Sequence, residues 1–252
     1  MNRLDEKLAG RRPLLTCYLP VGDPLIPVEV TQVYIDCGVD ILELGMPSPA
    51  PYLDGEDVSA SMARAIDAGN AITALPGFVA LAKVSPDGPA CISMCYADFD
   101  ADAALAADAY DGIDGLLMLG LDSRPDRAEL EAAMRVREIR LIRLVSTDLP
   151  PAELIAARPG DGYLMLQAAG GVTGPRDTLA PDNRAKIERI RASGLAQPIL
   201  LGFGISTAEQ SAEAIGMGAD GVVIGSMCVR KALEGTDALR AFLSSIRKRL
   251  DG

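Results

Sequence analysis

The sequence predicts a single α/β domain over residues 1–252, a (β/α)₈ or TIM barrel, and three observations carry this prediction. The length of 252 residues matches the roughly 250 residues of one complete barrel. Short apolar runs rich in branched residues alternate with longer amphipathic segments, an order that favours βαβ units and a parallel sheet. Hydrophobic residues make up 49% of the chain but aromatic residues only 4%, so aliphatic side chains must fill the interior, as in parallel strands buried on both faces.

Eight apolar runs are predicted to be strands, because each is short and bounded by turn-forming residues. In chain order they are residues 13–19, 40–45, 90–97, 115–121, 140–146, 162–167, 198–204 and 221–226. An open, doubly wound sheet is the alternative architecture. Its dinucleotide fingerprint, Gly-x-Gly-x-x-Gly, is missing after the first run, where residues 18–24 read Tyr-Leu-Pro-Val-Gly-Asp-Pro.

The helices predicted between these strands include residues 27–37, 59–68, 127–137, 151–157, 184–192 and 207–217. A further helical segment at residues 76–82 predicts an extra helix between the second and third strands. Ser206 and Thr207 precede Glu209 in a capping arrangement, and Gly218 stands where a helix favours a terminal glycine.

Charge and hydropathy exclude several classes of partner. The formal net charge of −11 argues against nucleic acid, which needs a clustered basic surface, and against an anionic membrane. The N-terminal segment is charged, and no run of about 18 apolar residues occurs, so neither a signal peptide nor a membrane span is predicted. We expect a cytoplasmic protein.

Residue counts also limit the chemistry. Five cysteines are an odd number, which makes a poor disulfide framework, and the chain has no histidine. Cys91 and Cys95 therefore lack the further ligands of a zinc site, and we expect neither a metal nor a cofactor. Acid/base work must fall to carboxylates, Tyr, Cys or Lys. The lysines lie in terminal or helical segments rather than at strand ends, which disfavours a Schiff-base mechanism.

Glycines follow the last three predicted strands, at residues 170–174, 202–206 and 225–226. Glycine lets backbone N–H groups approach a ligand, and the N-terminus of a following helix directs partial positive charge at it. Each loop alone is more often a tight turn than a site. Three of them at one barrel rim, where barrels frequently bind phosphate, predict a phosphate site.

An acidic residue interrupts the second strand, since residues 41–47 read Ile-Leu-Glu-Leu-Gly-Met-Pro. A carboxylate is costly to bury there unless it has a partner or a function. Because side chains alternate along a strand, Glu43 faces opposite to Leu42 and Leu44, and we expect it to point into the barrel mouth. A buried ion pair with an arginine is the alternative explanation.

The loop after this strand carries Asp54, which would bring a second carboxylate over the same cavity. Two carboxylates can divide acid and base work when their surroundings separate their proton affinities. For Asp54 alone, a turn-forming Asp-Gly pair is the alternative explanation.

Together these motifs resemble the α subunit of tryptophan synthase, and the match runs in order along nearly the whole chain. The family is a (β/α)₈ barrel that cleaves indole-3-glycerol phosphate to indole and glyceraldehyde 3-phosphate without a cofactor, and usually passes indole to a pyridoxal-phosphate β subunit. The matching segments are residues 22–24, 43–47, 53–55, 171–174, 202–206 and 225–226.

The resemblance implies roles for particular residues. Glu43 matches the glutamate that moves protons between the glycerol hydroxyl and indole C3, and Asp54 the aspartate that binds the indole N–H. The implied phosphate cradle is Gly174, Gly204, Gly225 and Ser226, and the implied substrate pocket is Tyr18, Tyr96, Met165, Thr173 and Phe203.

The chain departs from the family pattern mainly in the loops that serve closure and communication with the β subunit. Residues 48–52 replace the middle of the loop after the second strand and add prolines, and Ala169 replaces a usual arginine. Residues 119–122 stand where the family has Ala-Asp-Val-Pro, and Met165 replaces an active-site tyrosine. The chain thus resembles a diverged paralogue, with a β subunit as the implied partner.

Two other functions are open at this stage. One is a noncatalytic or regulatory α-like subunit, and the other is a barrel enzyme that acts on a different small phosphorylated substrate. Retention of both Glu43 and Asp54 argues against the first, since a decayed site has no need of a buried carboxylate.

Overall fold

The computed structural model describes residues 2–10, 13–106 and 108–252. Within them, parallel strands form one sheet that curves into a barrel. The strands are β1 Leu14–Pro20, β2 Ile41–Gly45, β3 Ala90–Tyr96, β4 Gly115–Leu119, β5 Arg140–Leu141, β6 Arg143–Val145, β7 Leu164–Gln167, β8 Ile199–Gly202 and β9 Gly221–Ile224. The (β/α)₈ barrel predicted from the sequence is confirmed.

The barrel closes through an interrupted strand. The sheet order is β5-β4-β3-β2-β1-β9-β8-β7-β6. The predicted strand 140–146 is divided into β5 and β6, which are the first and the last strand of this order. Between β5 and β6, the Ile142 N–H donates to the Leu116 carbonyl of β4 over 2.9 Å, while Arg143 begins the pairing with Leu164 of β7. One predicted strand thus contacts β4 with its first half and β7 with its second.

Backbone turns end some strands earlier than predicted. Gly120 has a φ of 81° and Phe203 a φ of 70°, and left-handed residues of this kind cannot continue a strand. As a result β4 ends at Leu119 and β8 at Gly202. The residues that follow are released into the loops at the C-terminal rim.

Helices surround the sheet. They are α1 Arg3–Leu8, α2 Thr31–Asp36, α3 Glu56–Ala68, α4 Ala71–Lys83, α5 Ala101–Ala106, α6 Arg127–Val136, α7 Pro151–Ala157, α8 Asn183–Ala192, α9 Ala208–Gly216, α10 Ser226–Glu234 and α11 Thr236–Asp251, with 3₁₀ turns at Val28–Val30 and Leu121–Ser123. Both α3 and α4 lie between β2 and β3, which confirms the extra helix.

The start of α9 corrects one sequence prediction. Thr207 is the N-cap, but its partner in the capping box is Gln210 and not Glu209. The Gln210 N–H donates to Thr207 Oγ1, and Gln210 Oε1 accepts from the Thr207 N–H. A capping box uses the residue three positions after the cap, so Glu209 would serve a cap at Ser206, whereas the cap at Thr207 uses Gln210. Gly218 follows the helix with a φ of 104°, as predicted.

No single helix among the described residues is long and apolar enough to cross a membrane. Only α3 and α4 taken together reach the required length and composition, and they are bent by 113° at the break between them. Both helices bury apolar side chains in the protein core, including Met62 and Phe78.

Candidate active site

A cavity opens at the C-terminal rim of the barrel and encloses about 570 Å³, including its open mouth. Ten of the predicted site residues line it: Tyr18, Glu43, Asp54, Met165, Thr173, Gly174, Phe203, Gly204, Gly225 and Ser226. The rest of the lining is apolar and comes from β3, β4 and β9, from α3 and from the loops after β2 and β8. The predicted substrate-binding residue Tyr96 is not part of this lining and instead contacts Asp54.

Glu43 lies on β2 with its side chain in the cavity wall, and only 3% of the residue is exposed. Tyr163 Oη donates to Glu43 Oε1 over 2.9 Å. Burial raises the pKa of Glu43 to about 7, the negative charge of Asp54 adds to the rise, and the Tyr163 hydrogen bond opposes it. A group with a pKa near neutrality can both take and give a proton at working pH.

The hydrogen-bond partner of Glu43 bears on the two explanations of its burial, a functional carboxylate or an ion pair with an arginine. Among the described residues, no Arg or Lys forms an ion pair with this carboxylate, and its hydrogen-bond donor is the neutral Tyr163 hydroxyl. In the described ranges of the chain, the ion-pair alternative therefore has no partner to support it. A neutral partner leaves the proton affinity under the control of burial.

Asp54 is held by two hydroxyl donors, one on each carboxylate oxygen. Tyr96 Oη donates to Oδ2 over 2.6 Å, and Thr173 Oγ1 donates to Oδ1 over 3.0 Å. Burial raises the pKa of Asp54, while the two hydroxyls oppose the rise. Because Tyr96 ends β3 and Thr173 follows β7, the Asp54 side chain joins separate parts of the rim, which a turn-forming aspartate alone would not do.

The loops that follow β2 and β7 are fitted to each other at Gly55. The Gly55 N–H donates to Thr173 Oγ1 over 2.9 Å, and the Thr173 N–H donates to the Leu53 carbonyl over 2.8 Å. A Cβ at Gly55 would lie 2.1 Å from the Thr173 carbonyl oxygen. Glycine is thus required for this close approach.

Tyr18 contributes a buried hydroxyl to the cavity. The residue is 3% exposed, and its Oη has no hydrogen-bond partner in the described part of the chain. Burial raises the pKa of Tyr18 well above its ordinary value, and the charge of Asp54 adds to the effect. A Cβ at Gly45 would lie 2.1 Å from this Oη, so the glycine makes room for the ring.

The residues of the predicted phosphate cradle all line this cavity. Gly174 and Gly204 have φ values of 155° and 104°, while Gly225 is the N-cap of α10 and Ser226 its first residue. A Cβ at Gly174 or Gly225 would meet no atom within 4 Å. Open space beside backbone N–H groups and a helix N-terminus suits an anion.

Comparisons with known proteins identify the family. The family model described as tryptophan synthase alpha chain matches residues 4–248. The chain belongs to the tryptophan synthase alpha chain family. It is 33% identical over 273 residues to the alpha chain of Laribacter hongkongensis, with all of both chains covered. It is 35% identical over 232 residues to that of Gloeobacter violaceus, with 88% of this chain and 82% of the relative covered.

Solved structures give the same result. The tryptophan synthase alpha subunit of Legionella pneumophila superimposes with a TM-score of 0.83 at 25% identity, covering 100% of this chain and 99% of that one. A chain of Mycobacterium tuberculosis tryptophan synthase superimposes with a TM-score of 0.79 at 27% identity, covering 98% and 96%. The tryptophan synthase alpha chain is a carbon–carbon lyase of tryptophan biosynthesis that cleaves indole-3-glycerol phosphate to indole and glyceraldehyde 3-phosphate.

Two residues near this site, Tyr163 and Arg176, were not predicted from the sequence. Tyr163 lies two positions before Met165, so period-two alternation placed both on one face and could have indicated the contact with Glu43. Arg176 lies two positions after Gly174 and packs on Gly204. No sequence signal separates it from the other arginines, because the contact depends on how two loops fold together.

Proposed function

We propose that this alpha chain performs its cleavage reaction with Glu43 as the proton-transfer group and Asp54 as the partner of the indole ring. The observation that supports this assignment is a pair of buried carboxylates in one cavity, each held by neutral hydroxyl donors. Their surroundings differ, and burial raises the pKa of Glu43 to about 7. Such a pair can divide the work of a retro-aldol cleavage.

The reaction requires one proton to be added and one to be removed. A proton goes to indole C3, which makes the ring an electron acceptor, and the hydroxyl on the neighbouring glycerol carbon loses its proton. The bond between C3 and that carbon then breaks, its electron pair returns to the ring, and the hydroxyl carbon becomes the aldehyde of glyceraldehyde 3-phosphate. Glu43 gives the first proton and takes the second, so it ends the cycle in its starting state.

Tyr163 positions the Glu43 carboxyl. Its hydroxyl donates to Oε1, and Oε2 is left for the substrate. The bond fixes a side chain that would otherwise sample several rotamers, and correct geometry is a large part of general acid/base efficiency. Tyr163 thus acts through Glu43, without contact with the substrate.

Asp54 stabilises the positive charge that develops on the ring. Its two oxygens each accept one hydroxyl hydrogen bond and each retain a further acceptor position. The indole N–H becomes a stronger donor once C3 is protonated, so a hydrogen bond to Asp54 strengthens in the transition state, as catalysis requires.

The substrate would lie between two chemically different walls. The phosphate occupies the cradle of Gly174, Gly204, Gly225 and Ser226, and the ring lies against Tyr18, Met165 and Phe203. The first wall supplies backbone donors and a helix N-terminus, and the second supplies apolar surface with the Tyr18 hydroxyl. This polarity matches a phosphorylated indole.

A β subunit is the proposed partner of this rim. Tyr52 and Val172, in the loops after β2 and β7, are 61% and 49% exposed. Large apolar side chains at the mouth of a cavity are suited to a protein contact. Co-purification of the chain with a β subunit, compared with a Tyr52→Ser and Val172→Ser double variant, tests this surface.

The proposed function is tested by steady-state release of indole from indole-3-glycerol phosphate, with the isolated chain and with a β subunit added. We expect turnover by the isolated chain and a loss of turnover in Asp54→Asn. Substrate binding without turnover in either condition would favour the noncatalytic alternative. Failure of the wild-type chain to bind this substrate would favour a different phosphorylated substrate.

A further inference from the structure

Arg176 packs against the phosphate cradle from outside the cavity lining. A Cβ at Gly204 would lie 2.7 Å from Arg176 Cδ and 3.3 Å from its Nε. At the far end of the side chain, Nη2 donates to the Gly170 carbonyl over 2.7 Å. The arginine thus bridges the loops that follow β7 and β8, directly beside a glycine that lines the cavity.

The backbone of Arg176 is fixed by the start of α9. Gln210 Nε2 donates to the Arg176 carbonyl over 2.6 Å, and Ser206 Oγ donates to the same oxygen over 3.4 Å. Gln210 is also the capping-box residue of this helix. The arginine is therefore held at the cradle by the same residues that begin the helix.

The guanidinium has an unused donor. Arg176 Nε is buried and has no hydrogen-bond partner among the residues that the structure describes. Within the described part of the chain, no carboxylate lies in ion-pair distance of this side chain, whose Nη2 donates to the Gly170 carbonyl. A buried N–H without an acceptor costs free energy, and such groups in native proteins call for an explanation.

The charge of the cavity gives that explanation. Among the described residues, its lining contains the carboxyl groups of Glu43 and Asp54 and no Lys or Arg side chain. A phosphate monoester brings further negative charge into this space, while backbone N–H groups and a helix N-terminus offer only partial positive charge. An arginine supplies a full charge and several donors suited to phosphate oxygens.

We infer that Arg176 is the cationic residue of the phosphate subsite and determines affinity for phosphorylated ligands. This inference rests on the proposed function, because it uses the same cradle. The Nε–H and the charge act on a phosphate held by Gly204 and its neighbours, and the Gly170 contact keeps the side chain in place. The ligand class is a phosphate monoester or inorganic phosphate.

The test is the binding of inorganic phosphate to the isolated chain, measured by ³¹P NMR titration and, separately, by competitive inhibition of cleavage. Arg176→Met should weaken phosphate binding by about 10- to 100-fold, the usual weight of a hydrogen bond to a charged group. The KM for indole-3-glycerol phosphate should rise by a similar factor with kcat nearly unchanged, and affinity for indole should not move. Arg184→Met is the matched control, because Arg184 is exposed and donates to a single carbonyl, that of Gly216.

A purely structural role for Arg176 would give a different pattern. Arg176→Lys should recover much of the phosphate affinity, and the wild-type affinity should fall more steeply with added salt than that of Arg176→Gln. Normal phosphate binding by Arg176→Met, or an equal loss for indole and phosphate, would overturn the inference. Direct phosphate titration requires no turnover, so a wild-type chain that binds phosphate without cleaving the substrate would count only against the proposed function. If Arg176→Met does not fold, the lysine and glutamine variants carry the same comparison.

Discussion

The Tyr163 hydroxyl donates to Oε1 of the buried Glu43 carboxyl over 2.9 Å. Tyr163 directly precedes β7, and Glu43 lies on β2, which is not a neighbour of β7 in the sheet. This contact joins residues that are 120 positions apart in the chain. Because the donor is neutral, it orients the carboxyl while leaving its pKa near 7. An arginine in the same place would have held Glu43 ionised and removed its ability to give a proton.

Glu43→Gln should lower kcat by about 10²- to 10⁴-fold, the usual weight of general acid/base catalysis. The amide preserves the shape of the side chain but cannot accept and return a proton. The measurement is steady-state indole release, with an unfolding curve to show that the variant is folded. Near-normal cleavage by this variant would transfer the role to Asp54.

Glu43 should also make stability depend on pH. Its pKa in the folded protein is about 7 against an ordinary 4.5, so the folded state binds more protons than the unfolded state between these values. The contribution of the protonated group is fully present below pH 4.5 and is lost as pH rises through about 7. Denaturant unfolding of Glu43→Gln should show a smaller decline across this window than wild type, by roughly 3 kcal/mol at most. If the unfolding free energies of the two proteins declined in parallel across this pH window, the raised pKa could not be assigned to Glu43.

Tyr163→Phe should raise the pKa of Glu43 further, because the hydrogen bond that opposes the rise is lost. The corresponding inflection in the pH profile of kcat/KM should move to higher pH, and kcat should fall by less than in Glu43→Gln. Ser93→Ala is a control, since Ser93 bonds another buried tyrosine hydroxyl, that of Tyr110. An unshifted profile would limit Tyr163 to a packing role.

The sequence predicted the parts of this site that depend on local pattern. Glu43 was recognisable because a carboxylate stands in an apolar strand, and the cradle because glycines follow three strands. The interruption of the strand at Ile142 was not predictable from the sequence. It arises because this strand pairs with β4 on one side and with β7 on the other. Period-two alternation with Met165 could have indicated the contact of Tyr163 with Glu43, whereas the contacts of Arg176 depend on loop packing, which no spacing along the chain encodes.

Gly55→Ala should lower both stability and activity. A Cβ there would lie 2.1 Å from the Thr173 carbonyl oxygen, a backbone atom, so the loops after β2 and β7 must separate and loosen the Thr173 contact with Asp54. Overpacking of this kind typically costs about 1–3 kcal/mol. Gly216→Ala is the matched control, because a Cβ at this helical glycine meets nothing within 4 Å and should be neutral or slightly stabilising. Equal unfolding free energies for the two variants would rule out the close approach.

The loop after β2, residues 46–55, is called the lid here. Activity should depend little on a β subunit if this lid is already ordered in the isolated chain. In this structure Ser48 Oγ donates to Asp98 Oδ2 over 2.7 Å and accepts from the Ala50 N–H. The Tyr52 ring packs edge-to-face on Tyr96 with 5.1 Å between centroids. We expect these contacts, with prolines that restrict the same loop, to supply the ordering that a partner would otherwise provide.

A saturating β subunit should therefore stimulate turnover by less than tenfold. Ser48→Ala, which removes both contacts of the hydroxyl, should lower the turnover of the isolated chain and increase the stimulation. Ser245→Ala removes a comparable local bond, to the Phe242 carbonyl on the distant α11, and should change neither value. If a β subunit stimulates the turnover of the wild-type chain tenfold or more, the lid is still ordered by its partner. The contacts of Ser48 and Tyr52 would then be too weak to close the site alone.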